Sequence, residues 1–225
     1  MTLRSQMILT TKHVLAVLLG LAMLMPAAGC NILGPIYIFA VGPPEYDPEF
    51  SLAKDKTTVI FIDDPRSEIP RRAIRIAMIQ AAEKDILRKS LVKDLVSGQS
   101  ALRVAQTDQS ARQMSVAEIG RAVESEVVIW ATVDSFIRAD LARNQEPRIV
   151  FRVRVVDASD NKVLWPPDPT GRRLEVTLTP RIGTVANDSG ARTTAELQLG
   201  KNAGLAIGQL FYEHLVSVHA AEPGV

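Results

Sequence analysis

The chain holds a single cysteine, Cys30, and the 29 residues before it do not read as part of a fold. Arg4 and Lys12 are the only acid–base charges in that stretch other than His13, and no acidic residue precedes Cys30. Residues 14–25 are an apolar run of about a dozen, against the roughly 20 needed to span a bilayer. Lys12 and His13 bound the run on one side and Pro26 on the other. Ala27, Ala28 and Gly29 follow, all small, directly before the cysteine. A basic start, an apolar core and small residues at a cut are the marks of a secretory signal. Removing it leaves 225 − 29 = 196 residues to fold. With one cysteine, no intramolecular disulfide can support them.

The Ala27-Ala28-Gly29-Cys30 step resembles the lipobox of bacterial lipoproteins. It departs from the usual pattern in having alanine at position 27, where leucine is preferred. The resemblance implies that Cys30 is acylated and becomes the first residue of the mature chain. It also removes the liability of an exported free thiol. Two or more acyl chains anchor a protein stably, whereas one does so only marginally. The expected location is the cell membrane or the outer membrane, facing the periplasm. Asn31, rather than aspartate, leans toward the outer membrane.

The expected organisation is a signal peptide over 1–29, a lipidated N-terminus and tether over 30–53, one domain over 54–218, and a flexible tail over 219–225. Pro35, Pro43, Pro44 and Pro48 mark the tether as an extended spacer. The apolar insert 36–41 within it suits a membrane surface, a sheet edge or a partner. The whole chain is 47% hydrophobic, enough for a core, and its net charge is +1. The mature part has 24 basic and 25 acidic residues once Arg4 and Lys12 are removed. Such a balance gives no broad basic field for nucleic acid.

Residues 57–62 are an apolar, β-branched run ending in Asp63-Asp64-Pro65, which predicts a buried strand and a turn. A long helix is expected over 71–96, closed by Ser97-Gly98, with a short strand over 102–105. Ser115 and Glu118 have capping-box spacing and open a short helix through Val123. Strands follow over 127–137, 148–157, 163–165 and 173–178. A last helix is expected from Thr193 or Thr194 to about Val216. The class is α/β (α+β): a single domain with a mixed sheet, order β-α-β-α-β-β-β-α, and helices packed on the sheet.

This order resembles a family of exported bacterial domains that includes the TolB N-terminal domain, CsgG and LpoB. The residues that carry the likeness are the opening strand with its long helix and the step from Ser115 into Glu126-Val127-Val128-Ile129-Trp130. Val153-Arg154-Val155-Val156-Asp157-Ala158, a turn and Lys162-Val163-Leu164-Trp165 complete it. The likeness spans about 57–216 and its motifs are structural. It implies channels, activators of cell-wall enzymes or scaffolds of envelope complexes. No long amphipathic hairpins of the kind a channel of that family needs are present.

No residue set identifies a reaction, so the chain is expected to be no enzyme and to need no cofactor. The leading expectation is a membrane-anchored adaptor or assembly factor for another envelope protein. The alternatives are a self-assembling ring component of a secretion or polysaccharide-export system, and a metal-dependent hydrolase using Asp63 and Asp64. Paired carboxylates at a strand's C-terminal end can hold Mg²⁺, but Asp-Asp-Pro is also ordinary turn chemistry. His214 and His219, five apart, do not share a helix face. Gly200, Gly204 and Gly208 make a smooth groove, fit either for close internal packing or for a subunit or partner. Trp165-Pro166-Pro167 is a stiff aromatic loop, fit either for covering the core or for docking a partner.

Overall fold

Thr58–Asp63 (β2) has an unbroken apolar run, and all but its last residue are buried. A run without alternation is the pattern of a strand covered on both faces. In the computed structural model, which describes residues 45–107, 114–138, 146–178 and 189–215, this strand sits inside the sheet. The signal sequence, Cys30, most of the tether, including the apolar 36–41 insert, and the tail lie outside the described residues.

The remaining strands are Glu45–Tyr46 (β1), Leu95–Val96 (β3), Val127–Ile137 (β4), Arg148–Asp157 (β5), Val163–Trp165 (β6), Arg172–Thr177 (β7) and His214–Leu215 (β8). The helices are Arg72–Arg88 (α1), Gly98–Thr107 (α2), Val116–Ala122 (α3) and Ser189–Gln209 (α4). The main sheet runs β3-β2-β4-β5-β6, with β7 also pairing β5. Strands β3, β2 and β4 are parallel; β5 is antiparallel to β4, and β6 and β7 each pair antiparallel with β5. The sheet is thus mixed and the fold is α+β. A register shift between Val133 and Ser135 bends the long β4–β5 ribbon.

The two parallel crossovers run in opposite directions along the sheet. Right-handed connections therefore place α1 on one face and α2 with α3 on the other. Helix α3 packs on Val128, where a Cβ added to Gly120 would lie 2.6 Å from the Val128 methyl. The opposite face carries Ile60, Ile62, Ile129, Ala131, Val133, Phe151 and Val153, all fully buried under α1 and α4.

Four expectations change. Helix α1 ends at Arg88 rather than near Val96. Ser90 takes the left-handed conformation (φ 53°), and the Leu91 N–H donates to the Ile86 carbonyl at 3.1 Å. That is a helix stop built on serine, where glycine is the usual signal. The chain then forms β3, so the short strand lies at 95–96 and not at 102–105. Gly98, expected to end a helix, begins α2 instead. Its N–H donates to the Glu83 side chain at 2.6 Å, and its Cα lies against the Ile60 carbonyl with no room for a Cβ. Helix α4 starts at Ser189 and stops at Gln209, after which β8 pairs β1.

The Ser115–Glu118 capping box forms as expected. The Glu118 N–H donates to Ser115 Oγ at 3.3 Å and the Ser115 N–H to Glu118 Oε2 at 2.7 Å. The packed unit also reaches upstream of Lys54: Leu52 is buried and Phe50 packs beside Trp165.

Candidate functional site

Ligands of open α/β sheets sit outside the carboxyl ends of parallel strands. Here Asp63, the last residue of β2, pairs with Thr132 of β4, and both line a cavity of about 610 Å³. Phe61 and Trp130, the preceding pair on the same face, form part of its floor. Arg75 of α1 and Met114 and Ser115 before α3 form part of its walls.

The two aspartates have different employment. Asp64 closes the turn: its Oδ1 accepts the Glu68 N–H at 2.8 Å and its Oδ2 the Ile69 N–H at 3.0 Å. Each oxygen thus holds one backbone N–H. Asp63 is half-buried, and burial raises its pKa above the ordinary 3.8. The Trp130 indole and the Arg75 charge pull it partly back, while Asp64 pushes it further up. The Trp130 N–H is near enough to favour the carboxylate but makes no hydrogen bond of good geometry. Arg75 donates through NH2 to the Ile62 carbonyl at 2.9 Å, while its Nε is buried without a partner. Burial lowers the Arg75 pKa, opposed by the two nearby carboxylates.

The hydrolase expectation required two free carboxylates on one metal. Asp63 and Asp64 both line the cavity, and Asp64 also accepts one backbone N–H on each oxygen from the turn that follows β2. Among the described residues no group of three or more His, Cys, Asp or Glu is placed to hold a metal ion. The cavity is a polar–aromatic hollow lined by Asp63, whose carboxyl is desolvated, and by Asp64.

Arg75 and Trp130 were not singled out from the sequence. An alternation signal existed for Trp130, which faces Phe61 across the β2–β4 pair and Arg154 across the β4–β5 pair. The Arg154 guanidinium stacks on it at 4.9 Å. Beside that stack, Arg152 pairs with Asp134 at 3.2 Å, leaving a polar sheet face beyond α2 and α3.

The other expected interaction residues are packed within this chain. Trp165 is 8% exposed, with its ring 6.2 Å from Phe50 and 6.3 Å from Phe211. It therefore covers the core beside Phe50 and Phe211. Pro166 follows through a cis peptide and Pro167 is exposed. Gly200, Gly204 and Gly208 lie against α1. A Cβ on them would meet Ile74, Met78 with Ala81, and Asp85 respectively, at or under 3.0 Å. The seam is internal. His214 lies in β8 beyond α4, with Nδ1 3.1 Å from the Tyr212 carbonyl.

Under this seam sits Asp85, 1% exposed. It accepts from the Tyr212 hydroxyl at 2.8 Å and pairs with Arg88. Burial and the neighbouring carboxylate hold the Tyr212 pKa up at about 12. Glu196 of α4, 3% exposed, pairs with Arg71 at 2.5 Å and Arg138 at 3.4 Å. Glu196 ties α4 to the residue before α1 and to the one after β4, and Asp85 ties α1 to the segment after α4.

No family model matches the chain, and no curated protein matches it. Among solved structures, it is similar to the PelC dodecamer from Paraburkholderia phytofirmans at 14% identity, covering 75% of this chain and 96% of that one, TM-score 0.39. Lipoprotein GNA1162 from Neisseria meningitidis matches at 12% identity, over 69% of this chain and 97% of that one, TM-score 0.41. The LpoB C-terminal domain from Escherichia coli matches at 11% identity, over 58% and 87%, TM-score 0.29. At these scores the likenesses assign neither family nor function.

Proposed function

We propose that the chain is a lipid-anchored envelope protein that acts without catalysis, as an adaptor or assembly factor for another envelope protein. The observation that carries this reading is Cys30, the sole cysteine, set directly behind Ala27-Ala28-Gly29 and a short apolar run. The geometry supports the non-catalytic half. The cavity at the end of β2 holds the carboxylates Asp63 and Asp64, and Asp64 is also engaged in closing the turn. No described helix is long and apolar enough to cross a membrane; on this reading the acyl chains on Cys30 supply the attachment.

Cys30→Ser removes the acylation point. The variant is expected to accumulate as an uncleaved or soluble precursor, whereas wild type fractionates with membranes. Normal membrane partition of the variant would remove the lipoprotein reading. Light scattering of the detergent-solubilised protein separates an adaptor, which is expected to be monomeric, from a self-assembling ring.

A further inference from the structure

The charge on the outer face of α1 and α4 differs from what the order of residues suggests. Along the sequence, Glu83, Asp85 and Asp94 interrupt the basic residues of α1. The fold takes all three off the outer face. Asp85 is buried beneath the helix seam with Tyr212 and Arg88. Glu83 is half-buried and accepts the Gly98 N–H at 2.6 Å. Asp94 lies past the helix end, where its carbonyl accepts the Thr58 N–H at 3.1 Å.

What remains is a groove of about 400 Å³ between the two helices, whose lining includes Lys84, Arg88, Lys201 and Leu205, with the buried Asp85 at its base. Lys84 and Lys201 have no ion-pair partner among the described residues, while the Arg88 charge is offset by Asp85. The groove thus carries two uncompensated cations. The same helices expose Leu87 at 49% and Leu205 at 39%. Cations interspersed with exposed leucines are the composition of a surface that rests on anionic lipid.

We propose that this groove docks on the anionic phospholipid headgroups of the membrane that holds the anchor. The proposal rests on the lipoprotein reading for its geometry. Strand β1 pairs β8 just beyond α4, so the tether enters the domain beside that helix's C-terminal end. From Cys30 to Glu45 is 45 − 30 = 15 residues, an extended reach of roughly 50 Å. The 21-residue helix α4 is about 32 Å long, so its whole outer face can meet the bilayer. A tether that short holds the surface at high effective concentration, and a weak electrostatic contact then fixes orientation. Removing two cations is expected to lower the docked-to-free ratio roughly thirty-fold, about 2 kcal/mol.

Because Cys30 is the sole cysteine and is consumed by acylation, Gln80→Cys gives the mature protein one reactive thiol beside the groove. A fluorophore there is read against vesicles carrying a headgroup quencher. One set is phosphatidylcholine alone, and the other contains phosphatidylglycerol. Quenching is expected with phosphatidylglycerol at low salt, and its loss at high salt, on neutral vesicles, and in Lys84→Glu/Lys201→Glu. Equal quenching on both vesicle types, or an unaffected double variant, would overturn the proposal. So would the absence of quenching on phosphatidylglycerol. Flotation of the same protein with neutral vesicles reports the anchor separately. If it does not float, the lipoprotein reading fails, and Gln80→Cys combined with Cys30→Ser then carries the single label with which the two vesicle types read the groove.

Discussion

Replacing Gly204 by alanine probes the α1–α4 seam where it is tightest. Alanine in place of glycine inside a helix gains about 1 kcal/mol from propensity alone. Against that, the new Cβ would overlap the Met78 carbonyl oxygen and lie 2.8 Å from the Ala81 Cβ. The Met78 carbonyl is main chain inside α1, so relief requires the helices to part. Overpacking costs about 1–3 kcal/mol, and an obstruction of backbone belongs at the upper end. The net expectation is a loss of about 2 kcal/mol. For a domain of this size that is a fall in Tm of about 4–8 °C. Gly200→Ala is the internal control. Its Cβ would meet the Ile74 methyl at 2.9 Å and the Ile74 carbonyl oxygen at 3.0 Å, a milder contact, so its net effect is close to zero. Thermal unfolding by circular dichroism, at two protein concentrations, reads both variants. Gly204→Ala melting at or above wild type, or below Gly200→Ala only at low concentration, would refute the internal-seam reasoning.

Asp63→Asn is expected to raise Tm at pH 7. Burial lifts the folded-state pKa above 3.8, so stability falls as pH rises through that value and the carboxylate forms. The gain therefore shrinks below pH 3.8, and equal gains at pH 7 and pH 3 would contradict the sign. Asp157 behaves oppositely. Hydrogen bonds from Ser159 and Lys56 hold its pKa down to about 2. Its contribution is present above pH 3.8 and lost as pH falls toward 2, so Asp157→Asn flattens the acid limb of a Tm-against-pH plot. Ser115→Ala breaks the capping box of α3 and is expected to cost about 1 kcal/mol in urea unfolding, while Ser115→Asp retains most of it.

Elements with a loud local signal were legible. The apolar run of β2, the capping box at Ser115 and the alternating β5 lie where their patterns place them. The failures share one cause. Helix boundaries here are set by tertiary contacts. Ser90 adopts the left-handed stop that sequence reading assigns to glycine, and Gly98 opens a helix because Glu83 and the Ile60 carbonyl hold it there. With the stop misplaced, the short strand was expected at 102–105. Leu102, with Ala101 beside it, in fact belongs to the buried side of α2. Asp63 was visible as the end of a strand. Its separation in role from Asp64 was not, because turn closure by Glu68 and Ile69 is a three-dimensional fact. The glycine spacing on α4 announced a close approach but could not say to what. The answer, α1 of the same chain, appears only when Ile74, Met78 and Asp85 are seen opposite the three glycines.

The central claim is covalent and can be weighed. Protein extracted from the membrane fraction of its own host, or of a bacterium with an intact lipoprotein pathway, is measured by intact mass and N-terminal peptide mass. The account predicts a mature chain beginning at Cys30 and carrying at least two acyl chains on that residue. A chain that begins elsewhere, or one whose Cys30 is an unmodified thiol, would contradict it.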